Sequence, residues 1–275
     1  MTVLVGATDL ARELAGPNPP VLLDVRWALG DPHGHAHYRD AHVPGAVFVD
    51  LETELAAPAS PDAGRHPLPD PAALQAAARR WGIRQGQPVV VYDATGGTAA
   101  ARAWWLLGWG GVENVRLLDG GLPAWRAAGL PTAAGDEYAA APGDVEITPG
   151  ALPTIGIDDA AEFPGVLLDA RATERYTGAT EPVDPRAGHI PGAVSAPTSE
   201  NLRGDGRFRS ATELADRFAA LGVAPGTPVG VYCGSGVTAA HQIAALAVAG
   251  IDAALFPGSW SQWSHTDRPA ATGDE

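Results

Sequence analysis

A chain of 275 residues with 45% apolar side chains is long enough for one large domain or two of ordinary size, each with its own core. Its net charge of -14 argues against nucleic acid or an anionic membrane as partner, because both reward clustered cations. All 18 basic residues are arginine, which excludes a nucleotide-binding loop lysine, a Schiff-base lysine and a lysine general base.

The opening MTVLVGATDLARELAG lacks the basic start and small-residue cleavage site of a secretory signal, and no run of about 18 apolar residues occurs, so the expected compartment is the cytoplasm. VLLDV (21–25) reads as a buried strand. HGHAH (33–37) reads as an exposed loop, with no metal expected because no second ligand cluster follows at a suitable spacing. HVPGAVFVD (42–50) comes next, and Asp70-Pro71 then opens a helix. In PVVVYDATGGTAA (88–100) a strand runs into a glycine-rich turn and an apolar helix, whose WWLLGWG (104–110) packs into a core. Residues 131–150, rich in Ala, Gly and Pro, read as a linker.

The same order then recurs. VLLDA (166–170), HIPGAVSAP (189–197), a capping box of Ser210 with Glu213, and PVGVYCGSGVTAA (228–240) repeat the first half. The run from Pro88 aligns with the run from Pro228 without a gap, an offset of 140 residues. DGGLPAW (119–125) is mirrored by PGSWSQW (257–263). A period this long indicates duplicated domains, here 1–130 and 151–275, each an α/β unit with a mainly parallel sheet flanked by helices. In such units the loops at the carboxyl ends of strands make the site.

Cys233 sits at such an end and is the chain's one cysteine, so it has no partner for an internal disulfide, a CxxC pair or a cysteine-based zinc site. It is either a packed thiol or a lone nucleophile. Gly234, Ser235 and Gly236, followed by a helix near Ala239, let several main-chain amides converge on one centre, which stabilises an anion such as a thiolate. That setting favours the nucleophile. A phosphatase loop would require arginine six residues on, where Ala239 stands, and no local papain-like signature is present. The first-half counterpart of Cys233 is Asp93.

Taken together, GHIPGA (188–193), CGSGVTA (233–239), DGGLPAW and GSWSQW resemble the two-domain rhodanese-type sulfurtransferases, over nearly the whole chain. The resemblance implies an inactive first domain and a catalytic second domain whose Cys233 becomes a persulfide. The neutral loop, with Gly234, Gly236, Val237 and Thr238 lining the sulfur site, is similar to that of the 3-mercaptopyruvate sulfurtransferases. By the same resemblance Arg175 and Arg186 bind the donor, and a relay joins Ser235 to His42 and to Asp31, with Asp40 competing for the last place. Gln262 departs from the family, which often has an acid there. No cofactor is implied. The expected partners are a small-molecule donor and a thiol, thioredoxin or cyanide acceptor. Thiosulfate as donor, or a non-catalytic sulfur carrier, are the alternatives.

Overall fold

The structure is a computed structural model that describes residues 2–274. The chain divides into two compact units. The first comprises the residues up to Ala57, Pro69–Leu152 and Arg203–Phe208; the second comprises Pro58–Leu68, Pro153–Leu202 and the residues from Arg209 on.

Unit one carries β1 (Leu4–Val5), α1 (Ala7–Leu14), β2 (Val21–Asp24), α2 (Gly34–Asp40), β3 (Ala46–Phe48), α3 (Leu51–Glu54), α4 (Pro71–Arg80), β4 (Val89–Tyr92), α5 (Ala100–Trp109), β5 (Val115–Leu118) and α6 (Gly121–Ala127). All strand pairs are parallel, in the order β1-β5-β4-β2-β3. Unit two carries α7 (Ile157–Ala161), β6 (Val166–Asp169), α8 (Thr173–Tyr176), β7 (Val194–Ser195), α9 (Ala211–Ala220), β8 (Val229–Tyr232), α10 (Thr238–Val248), β9 (Ala254–Leu255) and α11 (Ser259–Trp263). Its sheet, again parallel, has the order β7-β6-β8-β9. The four-strand kernel is therefore the same in both units. The counterpart of β1 is reduced to a single bridge, Thr154 with Leu255.

VVVY and VGVY are buried along their whole length, as central parallel strands covered on both faces must be. The helix signals act as read: Asp70 accepts from the amides of Ala72 and Ala73, and Ser210 with Glu213 closes a capping box. Trp105 lies fully buried in α5.

The recurrent motifs build a latch at the carboxyl end of each sheet. Asp24 pairs in register with Tyr92, and Asp169 with Tyr232. Each aspartate holds the arginine two residues on, Arg26 or Arg171, at 2.6 Å. The Tyr92 hydroxyl accepts from the amide of Val43 at 2.9 Å, and that of Tyr232 from Ile190 at 3.2 Å. Burial, with the neighbouring aspartate adding to it, pushes both phenols well above their usual range, so they stay neutral. Beside them, His42 and His189 stack on Tyr38 and Tyr176, with ring centroids 4.1 and 3.7 Å apart, and each Nδ1 bonds that tyrosine's carbonyl at 2.9 Å.

Two expectations are corrected. HGHAH is not a loop but forms most of α2, started by the His33 amide donating to Asp31, with His37 on Asp31 and His35 on Asp136. Residues 131–150 are not a free linker, because unit one satisfies their main chain. Ala133 exchanges both bonds with His42, Gly143 donates to Arg79 at 2.7 Å, Thr148 donates to Gly110 at 2.8 Å, and Val145 and Ile147 are buried. A Cβ on Gly143 would overlap the carbonyl of Ile83. Gly143→Ala is therefore expected to cost about 1–3 kcal/mol, seen as a lower thermal midpoint; a free linker would tolerate the change without effect.

Candidate active site

In unit two β8 ends at Tyr232 and α10 begins at Thr238, and the five residues between them fold back around the cysteine sulfur. The amide of Gly236 donates to Cys233 Sγ at 3.1 Å, a turn that places Gly236 at φ +80°, where glycine carries no steric penalty. Cys233 is 1% exposed. Its amide donates to Ser259 Oγ at 3.2 Å, and its carbonyl accepts from Trp260 at 3.0 Å. Ser259 is the only non-glycine residue with positive φ among the described residues, at +54°. Such strain persists only where the surroundings over-determine it. Here the Ser259 hydroxyl is fixed between the Phe256 carbonyl and the Cys233 amide.

Unit one shows what this turn binds. Asp93 stands at the cysteine's position, and its carboxylate accepts four main-chain amides: Thr95 and Gly97 at 2.8 Å, Ala99 at 2.9 Å and Ala100 at 3.0 Å. The turn is an anion nest at the head of α5, filled by a carboxylate built into the chain. Gly121, the counterpart of Ser259, has φ +56° and lies against the Asp93 carbonyl.

Around Cys233 the structure assembles side chains that the sequence reading placed only in part. Ser235 is 6% exposed, and its hydroxyl lies 2.7 Å from Nδ1 of His66, itself buried. His66 arrives on the segment Pro58–Leu68, which unit two holds by several contacts. Gly64, at φ +86°, packs where a Cβ would stand 2.7 Å from both the Gly258 carbonyl and Ser261 Oγ. The Arg65 amide donates to Ser261 Oγ at 3.1 Å, and Gln262 Nε2 donates to the Asp62 carbonyl at 2.6 Å. An acid at 262 could not make that last bond, so the departure from the family pattern has a structural use.

Two guanidiniums cover the loop. A Cβ on Gly234 would lie 3.1 Å from Arg65 Nη2 and 3.3 Å from Arg175 Nη1, so a side chain there would press on both guanidiniums. Arg175 donates to Glu181 at 2.7 Å and to Asp184 at 3.1 Å, and Arg65 pairs with the other oxygen of Asp184. Burial pushes the Asp184 carboxyl up, against the pull of Arg65 and Arg175. Glu181 feels the same burial, yet the amides of Asp184 and Val183 and the Arg175 guanidinium hold it below the usual range. Val237 is buried just before α10, and Thr238, partly exposed, is its first residue.

Three expected residues are placed otherwise. Arg186 spends its guanidinium on the carbonyls of Trp263, Ser264 and Arg268, at 2.9–3.0 Å, and so braces the segment after α11. His42 is fully buried in the unit-one latch, as its twin His189 is in unit two. Asp31 holds the His33 amide and His37; the amide, first, and His37 keep its carboxyl below the usual range, and it lines a cavity of about 530 Å³ over the Asp93 loop. His66 and Arg65 were missed. A signal for them existed: Gly64-Arg65-His66 aligns with Gly206-Arg207-Phe208, each just ahead of a capped helix, so histidine replaces phenylalanine in one copy as cysteine replaces aspartate.

The chain matches the model of the rhodanese-like domain twice, at residues 6–128 and 157–266. It belongs to the rhodanese family. It is 48% identical over 277 residues to a Mycobacterium tuberculosis protein provisionally named thiosulfate sulfurtransferase SseB, covering 98% of this chain and 97% of the other. It is 49% identical over 286 residues to a Pseudomonas aeruginosa protein provisionally named 3-mercaptopyruvate sulfurtransferase, covering 98% of each. The crystal structure of SseA from Escherichia coli, described as a 3-mercaptopyruvate sulfotransferase, superposes with a TM-score of 0.83 at 33% identity, covering 95% of this chain and all of that one.

The nest makes a direct prediction for unit one. Asp93→Asn keeps one carbonyl oxygen where the carboxylate uses two, so two of the four amides lose their acceptor. The expected loss is about 2–4 kcal/mol, measured as a fall in the thermal midpoint; an unchanged midpoint would show that the amides need no anion.

Proposed function

We propose that this chain is a sulfurtransferase that takes sulfur from 3-mercaptopyruvate onto Cys233 and passes it to a thiol, thioredoxin or cyanide. The observation that carries the reading is the Cys233 sulfur held by the Gly236 amide at 3.1 Å, in a turn whose twin binds a carboxylate with four amides. The Cys233 thiolate attacks the donor sulfur, a sulfur–sulfur bond forms, and the carbon–sulfur bond breaks with its electron pair going to carbon as the enolate of pyruvate. The proton of the donor thiol ends on that carbon, giving pyruvate and a Cys233 persulfide anion. The Gly236 amide that holds the sulfur then holds the persulfide, with Thr238 beside it.

Arg175 and Arg65 bind the donor's carboxylate, and the planar fork of the guanidinium suits that group. Arg186 supports the same wall from behind through its carbonyl contacts. The Ser235 hydroxyl, fixed by His66, donates to the keto oxygen as enolate charge builds on it. His42 and Asp31, which the family resemblance places in a relay, serve the fold of unit one in this reading. With one cysteine the persulfide is discharged by an external acceptor and not by an internal disulfide. Among the described residues no helix is long and apolar enough to cross a membrane, and a cytoplasmic setting fits the net negative charge and the lone thiol. No metal or organic cofactor enters the proposed steps.

Thiosulfate is the second reading, and one observation favours it: Arg65 brings a cation to a loop that has none of its own. A comparison of kcat/KM for the two donors decides, with 3-mercaptopyruvate expected to be preferred. Intact-mass spectrometry after exposure to 3-mercaptopyruvate is expected to show one added sulfur atom on the wild type and none on Cys233→Ser; an equal gain on both would refute the role of Cys233. His66→Gln is expected to lower kcat about 100-fold while the sulfur still adds at Cys233.

A further inference from the structure

Asp184 joins the two cations of the loop. One of its oxygens pairs with Arg65 and the other with Arg175 at 3.1 Å, and its side chain is 2% exposed. Around it, Arg171 is locked to Asp169 at 2.6 Å and reaches Glu181 at 3.4 Å, while Glu181 also holds Arg175 at 2.7 Å and accepts the Asp184 amide at 3.0 Å. Three guanidiniums therefore face three carboxylates, and the cluster carries no net charge.

We infer that Asp184 sets the charge preference of the sulfur donor. This rests on the proposed sulfur transfer at Cys233 and adds the residue that discriminates between donors. Arg65 and Arg175 remain in place to give hydrogen bonds to a donor, because Asp184 fixes both of them. Their long-range field is cancelled by Asp184 together with Glu181, which also pairs with Arg175. A hydrogen bond to one carboxylate is short-ranged and serves a monoanionic keto acid. Attraction by a field scales with the charge of the ligand, so a compact dianion such as thiosulfate loses twice as much when the field is removed. The neutral cluster thus selects the monoanion by withholding from the dianion what it depends on.

Asp184→Asn keeps the size and one acceptor oxygen and leaves the cluster with a net positive charge. The ratio of kcat/KM for thiosulfate to that for 3-mercaptopyruvate is expected to rise about fivefold or more. Asp184→Glu keeps the charge and is expected to leave the ratio near that of the wild type. Alkylation of Cys233 gives a measurement free of turnover: the rate with iodoacetate relative to iodoacetamide is expected to rise by a similar factor in Asp184→Asn. Should neither donor load the wild type, the sulfurtransferase reading fails and the alkylation ratio still decides this one. An unchanged ratio in a folded Asp184→Asn, or the same rise in Asp184→Glu, overturns the inference. If Asp184→Asn does not fold, the wild type decides by salt: the alkylation ratio is expected to stay flat between low and high ionic strength, and a steep fall would reveal an uncancelled cation.

Discussion

Everything at this site depends on the convergence of main-chain amides at the end of a central parallel strand. A strand buried on both faces must leave the sheet abruptly, and a glycine-rich turn into a helix does so by folding the chain around the first residue of the turn. The amides then point at whatever that residue offers. In unit one it offers the Asp93 carboxylate, which satisfies four of them. In unit two it offers sulfur. The two copies are the same physical device with a different side chain in it, a carboxyl group in one and a sulfur in the other.

The rest of unit two is arranged to keep that turn in one conformation. Ser259 adopts a conformation unfavourable for any residue but glycine, and in return its hydroxyl takes the Cys233 amide. Trp260 and Ser261 take the carbonyls of Cys233 and Gly234. Gly234 lets two guanidiniums lie close over the loop, where a side chain would press on both. Glycine, strain and arginine at these positions are consequences of one requirement: the sulfur must sit buried, among donors, beneath a cationic roof whose charge is already balanced.

Duplication made the chemistry readable, since a residue shared by both copies serves the fold and a residue present in one copy serves something else. His42 and His189 obey the rule, for both stack on a tyrosine and bond its carbonyl. Cys233 and Ser235 obey it from the other side. The rule also covers His66 against Phe208, although the match is faint there, because the two segments ahead of α4 and α9 align only over a few residues and belong to different units.

The sequence by itself determined the two α/β units, their parallel strands, the caps of α4 and α9, the turn at Cys233 and the loss of the thiol at Asp93. These rest on local periodicity and turn chemistry, which are short-range properties of the chain, and on the repeat, which shows when one half is laid over the other. Tertiary structure alone decided which histidine meets Ser235, which arginines lie on Gly234, that Gln262 ties down the segment bearing Arg65 and His66, and that residues 131–150 dock through Gly143. Each of these joins residues far apart in sequence through the direction of a side chain or the absence of one. No local pattern encodes such a meeting; it exists only once the backbone has brought the two surfaces together.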